Sequence, residues 1–238
     1  MRLVISGGDR GENQMALDEA MLILASHKII PPTVRLWNFS PTTLSIGRFL
    51  AYQDWVNEEE RVRLSIPVVR RFTGGGPALH DERGEITWSI VGEFSMEEGY
   101  EIAGRGIVNA CEVLGIEATF TPINDVEVDG KKITGMAGAT RRGFTLVHGT
   151  FMFDTDLEKL AVIRQPSAKE NVRGKPSVRV TTLSNILGSK VSRDEATKAL
   201  LEGFSWLGLQ EGEISHLERD LAKELSFKYS NEKWLKIR

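Results

Sequence analysis

The sequence predicts an α/β fold of the α+β kind, a mixed and largely antiparallel sheet flanked by helices. Three observations carry this. Apolar residues recur three and four apart over residues 13–27, the spacing of one helix face, in Met15, Leu17, Ala20, Met21, Leu24 and Ala25. Short β-rich runs then follow one another between Pro, Gly, Asn and Asp punctuation, without the alternating helices of a βαβ repeat. The last third of the chain returns to helical spacing.

Taken in order, the helix over 13–27 is expected to pack on a sheet built from strands near 33–37, 43–46, 67–72 and 86–91. Residues 96–114 read as a second helix that stops at Gly115 and holds Cys111. A hairpin follows, 125–128 and 132–137 across Asp129-Gly130, and then a strand within 143–153. The polar stretch 165–179, with Pro166, Gly174 and Pro176, reads as a long loop. Ser192 and Glu195 have the spacing of a capping box before a helical stretch to residue 207, and 214–225 reads as another helix. The expected organisation is one catalytic domain over 1–238: a sheet-based body to about residue 160, then a loop and a helical C-terminal segment.

Composition narrows the function. Thirty basic against thirty-three acidic residues give a net charge of −3, which argues against broad nucleic-acid binding. The single cysteine excludes an internal disulfide or a cysteine metal cage and fits a reducing, cytoplasmic setting. Asp9, Arg10 and Glu12 interrupt the start of the chain, so neither a secretory signal nor a membrane-spanning helix is expected.

Three clusters can carry chemistry. In the run 70–81, Arg70 and Arg71 precede Gly74, Gly75 and Gly76, followed by Pro77, Ala78, Leu79 and His80. Glycines let backbone amides approach an anion closely, and the arginines add fixed charge, so phosphate or carboxylate binding is indicated beside the plainer reading of a solvated hairpin. Asn124 and Asp125 precede Lys131 and Lys132, of which alternation along a strand lets one face a site. A lysine there can neutralise a phosphate or polarise a carbonyl; alone, the pair is more simply a solvated turn. Arg141-Arg142 and His148-Gly149-Thr150 form the third cluster, where a surface turn and a half-buried histidine are the plainer readings. The histidine spacing builds no metal site.

Together, the run 70–81, Asn124-Asp125, Lys132 through Ala137 and His148-Gly149-Thr150 resemble the signatures of the lipoate-protein ligases in order and spacing. Weaker similarity reaches upstream through Leu17-Asp18-Glu19 and residues 44–48. The resemblance implies a biotin/lipoate ligase-like catalytic domain that joins lipoic acid to ATP as lipoyl-AMP, with Mg²⁺ held by the phosphates. It then passes the lipoyl group to a lysine of a carrier domain, in a 2-oxoacid dehydrogenase acyltransferase or the glycine-cleavage carrier. By position, Arg70, Arg71 and residues Gly75, Gly76, Pro77, Ala78 and Leu79 would hold the adenylate and acyl tail, alongside Ala137. Lys132 would be the catalytic cation, and Asn124 and Asp125 would line the nucleotide side. His80 and His148 would lie near the pocket without an assigned role.

Two departures accompany the resemblance. Residues 85–89 look like related octanoyltransferases, which use a cysteine near the position of Asn124-Asp125, whereas Cys111 sits in a predicted core helix. The stretch after residue 160 is also short for the accessory domain of longer ligases, so a small separate accessory chain is expected for activation. The rival readings are an ATP-independent octanoyl or lipoyl transferase and a noncatalytic module that binds the acyl ligand or carrier.

Overall fold

The computed structural model describes residues 1–164 and 179–237. Among these, eleven strands form two sheets. The large sheet runs β11 (Gln210–Glu211), β1 (Arg2–Asp9), β2 (Thr33–Phe39), β6 (Glu85–Gly92), β10 (Phe144–Met152), β9 (Lys131–Arg141), β8 (Asp125–Val128), β7 (Thr119–Thr121). Within this sheet only β1 pairs in parallel, with β2 and β11, and the other strand pairings are antiparallel. The small sheet is β4 (Val68–Arg70), β3 (Thr43–Ile46) and β5 (Ala78–His80).

The central strands β6 and β10 are buried along their whole length, because helices cover both faces of the sheet. One face carries α1 (Gly11–Ser26) together with α7 (His216–Tyr229), and Met15, Met21, Trp37, Phe39, Leu146 and Tyr229 fill the layer between. The other carries α4 (Met96–Val113) and α6 (Arg193–Gly203), over Val34, Leu36, Trp88, Ile90, Val147 and Phe151. Strand alternation assigns these sets: residues 34 and 36 point to α4, residues 35 and 37 to α1. Helix α1 is buried nearly all round, as its position between sheet and α7 requires.

Three helices start with reciprocal capping boxes: Ser95 with Glu98 at α4, Ser192 with Glu195 at α6, and Ser215 with Glu218 at α7. Both hairpins that bracket β9 turn on residues with positive φ, Asp129-Gly130 and Arg142-Gly143, as tight two-residue turns demand. The small sheet packs with α2 (Tyr52–Trp55), α3 (Glu58–Arg63) and the 3₁₀ turn Leu157–Val162 through Leu44, Ile46, Leu79 and Leu160.

The mixed, mostly antiparallel sheet flanked by helices matches the expectation. Strand β1 and the separation of the small sheet are not anticipated, since Ser6-Gly7-Gly8 interrupts the β-rich start and β4 and β5 are only three residues each. The stretch expected to be helical to residue 207 ends at Gly203 and continues as a 3₁₀ turn, Ser205–Leu207. The remaining short helices are α5 (Leu183–Leu187) and α8 (Glu232–Leu235). Apart from Arg179, the loop expected over 165–179 lies outside the described residues. Among the described residues no helix is long and apolar enough to cross a membrane.

Candidate functional site

Where the small sheet meets β6, β10 and β9, a cavity of about 570 Å³ opens. Met15, Trp37, Met152 and Leu160 supply apolar wall, and Arg71 and Lys132 bring positive charge. The structure gathers Arg71, Gly75, Gly76, Pro77, Ala78, Leu79, His80, Asn124, Asp125, Lys132, Ala137 and His148 around it.

Arg70 is the exception. Its buried guanidinium donates to the carbonyls of Gly47, Arg48, Leu50 and Leu235, and the Trp234 indole returns a bond to its own carbonyl. This residue ties α8 to the small sheet and does not line the cavity. The pair separates because neighbours on an extended segment point to opposite sides.

Arg71 is held by two hydrogen-bonded arms of the same polarity. On one arm its Nε donates to Thr73 Oγ1, Thr73 pairs with His148 Nε2 at 2.8 Å, and His148 Nδ1 faces Asp18 Oδ2 at 3.0 Å. On the other its Nη1 donates to Ser45 Oγ at 2.7 Å, Ser45 pairs with His80 Nε2 at 2.8 Å, and His80 Nδ1 faces Glu85 Oε1 at 3.0 Å. Both arms run cation, hydroxyl, imidazole, carboxylate. With each hydroxyl donating to Nε2 and each Nδ1 donating to its carboxylate, every hydroxyl and imidazole donor in both arms is used. Arg71 Nη2 donates to the carbonyls of Gly74 and Gly76, 2.8 Å each, which fixes the glycine turn against the cavity. Gly75 takes φ +87° there, and a β-carbon on it would crowd Arg71 and Ala137.

Register explains why these side chains meet. Arg35, Ser89 and His148 are direct partners across β2, β6 and β10, on the face toward α1. Asp18 of α1 descends onto that row: Arg35 and Ser89 donate to its Oδ1 at 2.9 and 3.0 Å, and His148 takes the other oxygen. Burial pushes the Asp18 carboxyl up, but the His148 hydrogen bond and the Arg35 charge outweigh it and hold it below its ordinary value. Burial pushes the His148 imidazole down despite Asp18, so the ring stays neutral beside an ionised carboxylate. Burial also lowers the Arg71 guanidinium to about 10, which leaves it cationic at neutral pH.

Lys132 projects from β9 with Nζ 2.5 Å from Asp125 Oδ1 on β8, each side chain about one-third exposed (32% and 30%). Its neighbour Lys131 points out to solvent, as alternation requires. Gly135 makes room for the lysine, since a β-carbon there would stand 2.5 Å from Lys132 Cε and 2.6 Å from Nζ. Asn124 donates to the Met136 carbonyl and holds the turn before β8 against β9.

The sequence reading did not pick out Asp18, Ser45, Thr73 and Glu85 as site residues, nor Trp37 and Trp55 as cavity wall. A signal existed for Asp18: it lies three residues after Met15 and three before Met21, on the stripe that must be buried. Cys111 lies in α4 among Ile107, Ala110 and Phe204, and burial pushes its thiol up to about 12. Among the described residues no three His, Cys, Asp or Glu side chains converge into a metal-holding group, so the donor set does not suit a protein-held cation.

Comparison with known proteins agrees with the architecture and changes the chemistry. The lipoyl protein ligase A/B catalytic domain matches residues 10–205. The chain is 33% identical to the octanoyltransferase LipM of Kyrpidia tusciae, covering 98% of this chain and 97% of that protein. It is 30% identical to LipM of Bacillus subtilis, over 98% and 96%. Among solved structures, the bi-partite lipoate protein ligase of Thermoplasma acidophilum, described with its E2 lipoyl domain, superposes with a TM-score of 0.84 at 30% identity, over 98% and 94% of the chains. A lipoate-protein ligase A bound with ATP gives 0.84 at 29%, over 98% and 97%.

The expected activity is therefore corrected. An ATP-dependent lipoate-protein ligase forming lipoyl-AMP, with ATP, Mg²⁺ and free lipoic acid as its reactants, gives way to acyl transfer, because relatives aligned along nearly the whole chain are octanoyltransferases. The shared motifs explain the error: an apolar slot, a glycine turn and two cations serve an acyl group whether it is activated in place or arrives activated. Protein lipoylation is common to both chemistries, and on the strength of these matches the chain belongs to the lipoyl protein ligase A/B catalytic-domain family.

Proposed function

We propose that this protein transfers an octanoyl or lipoyl group from a carrier-bound thioester to a lysine of a lipoyl domain, without nucleotide. The observation that carries the reading is the similarity to octanoyltransferases along nearly the whole chain, and the cavity fits it by joining apolar wall from Met15, Trp37, Met152 and Leu160 to the charges of Arg71 and Lys132. A medium-length acyl chain fills the apolar part, and its carbonyl lies toward the charged side.

The reaction builds negative charge on that carbonyl oxygen as the carrier amine attacks. Lys132 supplies a positive charge for it, and a fixed donor in such a position contributes about 10²–10³-fold in rate. Arg71 acts through the turn: by gripping the Gly74 and Gly76 carbonyls it holds the backbone beside which the acyl group sits. The two histidine–carboxylate arms keep that guanidinium in one orientation, so the turn needs no reordering during reaction.

An acyl group that arrives activated leaves an accessory activating chain no step to serve. The acceptor is a lipoyl domain of a 2-oxoacid dehydrogenase acyltransferase or the glycine-cleavage carrier, in the cytoplasm. Residues 1–238 work as one catalytic unit in this reading, supported by the packing of Tyr229 into the same layer as α1 and β10.

The test is intact-mass analysis of an apo lipoyl domain incubated with the protein and octanoyl-pantetheine, with no nucleotide present. The expected result is a single octanoyl addition, lost with Lys132→Ala. An unmodified lipoyl domain overturns the reading.

A further inference from the structure

We infer that the Thr150 hydroxyl is a second hydrogen-bond donor to the acyl carbonyl oxygen, working beside Lys132. The inference rests on the transfer reading above and adds a catalytic residue to it.

Thr150 closes the His148-Gly149-Thr150 run on β10 and lines the cavity. The antiparallel register sets Trp37 of β2 opposite Thr87 of β6, and Thr87 opposite Thr150. One step beyond the Gly149–Met136 pair, Thr150 comes beside Gly135 of β9. Directly opposed residues share a face, so these four make one row across the sheet, and all four line the cavity. The row begins at the apolar wall of Trp37 and ends beneath the lysine, since a β-carbon on Gly135 would stand 2.6 Å from Lys132 Nζ. Opposed residues of antiparallel strands lie about 4.5–5.5 Å apart at Cα. An acyl chain laid along this row therefore brings its carbonyl oxygen between the Lys132 ammonium and the Thr150 hydroxyl.

That hydroxyl is uncommitted. Among the described residues Thr87 and Thr150 are the two hydroxyl side chains that line the cavity, and Thr87 donates to Glu85 Oε1 at 2.7 Å. Ser45 and Thr73 are taken up in the two arms of Arg71, and Thr134 donates to the Thr150 carbonyl. Thr150 is 6% exposed, and its hydroxyl has no hydrogen-bond partner among the described residues. A buried hydroxyl without a partner costs stability, and the carbonyl of a bound acyl group supplies the acceptor it lacks.

Charge gives the contact its role. When the thioester carbon is attacked, the π pair of the carbonyl moves onto oxygen. It returns as the C–S bond breaks and the thiolate leaves with that bond's electrons. Thr150 keeps its proton throughout, and its hydrogen bond is strongest while the oxygen is charged. Lys132, paired with Asp125 at 2.5 Å, holds the oxygen from one strand, and Thr150 holds it from the next. The role is the same whichever nucleophile attacks the thioester.

The experiment measures kcat and KM with octanoyl-pantetheine and apo lipoyl domain for the parent, Thr150→Val and Thr150→Ser. Thermal midpoints are taken for all three, and the protein's own mass is followed during turnover. Valine keeps the shape and removes the hydroxyl, whereas serine keeps the hydroxyl. Thr150→Val should lose about 10²-fold in kcat, with KM for the thioester unchanged and a thermal midpoint no lower than the parent's. Thr150→Ser should restore most of that rate. A Thr150→Val variant as fast as the parent, a loss confined to KM, a loss that serine does not restore, or an acyl ester mapped to Thr150 overturns the donor role while leaving transfer itself standing. If the parent protein modifies no lipoyl domain, the transfer reading fails and the inference falls with it.

Discussion

At the scale of single residues, the site depends on side chains whose freedom has been removed. Gly135→Ala places a β-carbon where the Lys132 side chain now lies, and because the displaced atoms are the end of a flexible chain the fold should absorb the change. Transfer should therefore fall toward the level of Lys132→Ala, about 10²–10³-fold below the parent, with the thermal midpoint nearly unchanged. Paired activity and melting measurements on the two variants check this, and an active Gly135→Ala protein refutes it. Arg71→Lys keeps a charge but cannot reproduce donation to Ser45, Thr73, Gly74 and Gly76 together. It should lose at least about tenfold in transfer rate, read in the same assay. The glycine turn and the cations beside the cavity were legible in the sequence because such residues stand out locally, whereas the apolar wall of Met15, Trp37, Trp55 and Met152 was not. The partners Asp18, Ser45 and Glu85 were not, since they meet Arg71 only through strand register and the seating of α1.

At the scale of elements, α7 shows how the C-terminal segment is anchored over α1. Glu218 closes the Ser215 capping box and also receives Arg2 of β1 at 2.5 and 3.0 Å, with its side chain fully buried. Glu218→Ala removes half of the capping box and leaves Arg2 only its bonds to Thr33 and the Glu213 carbonyl, so it should cost about 1–3 kcal/mol by denaturant unfolding. A cost under about 0.5 kcal/mol would show that the helix is held by its apolar contacts alone. The central strands could be read as β-rich runs between turn residues, and both long early helices from apolar residues recurring three and four apart. The three-residue strand β5 could not, as no repeat accumulates over so few positions and its pairing with β3 is set by tertiary contact.

At the scale of the whole molecule, the buried Asp18–His148 pair links stability to pH. His148 is held below the ordinary 6.5, so the unfolded chain takes up a proton there that the folded chain refuses, and stability should decline as pH falls below about 6.5. Asp18, held below 3.8, adds a second loss as pH drops past that value toward its lower folded pKa. In His148→Gln the melting temperature should start lower but lack the first decline, and an unaltered slope just below 6.5 would refute the assignment. The sequence pointed to the family and to the glycine turn and cations of the cavity, yet assigned the activation step wrongly, because residues that bind an acyl group do not record how it was activated. The most direct test puts both sources in one reaction: deuterated free octanoate with ATP and Mg²⁺, unlabelled octanoyl-pantetheine, and an apo lipoyl domain read by mass. The account predicts that the lipoyl domain carries only the unlabelled acyl group; deuterium on its lysine would contradict it.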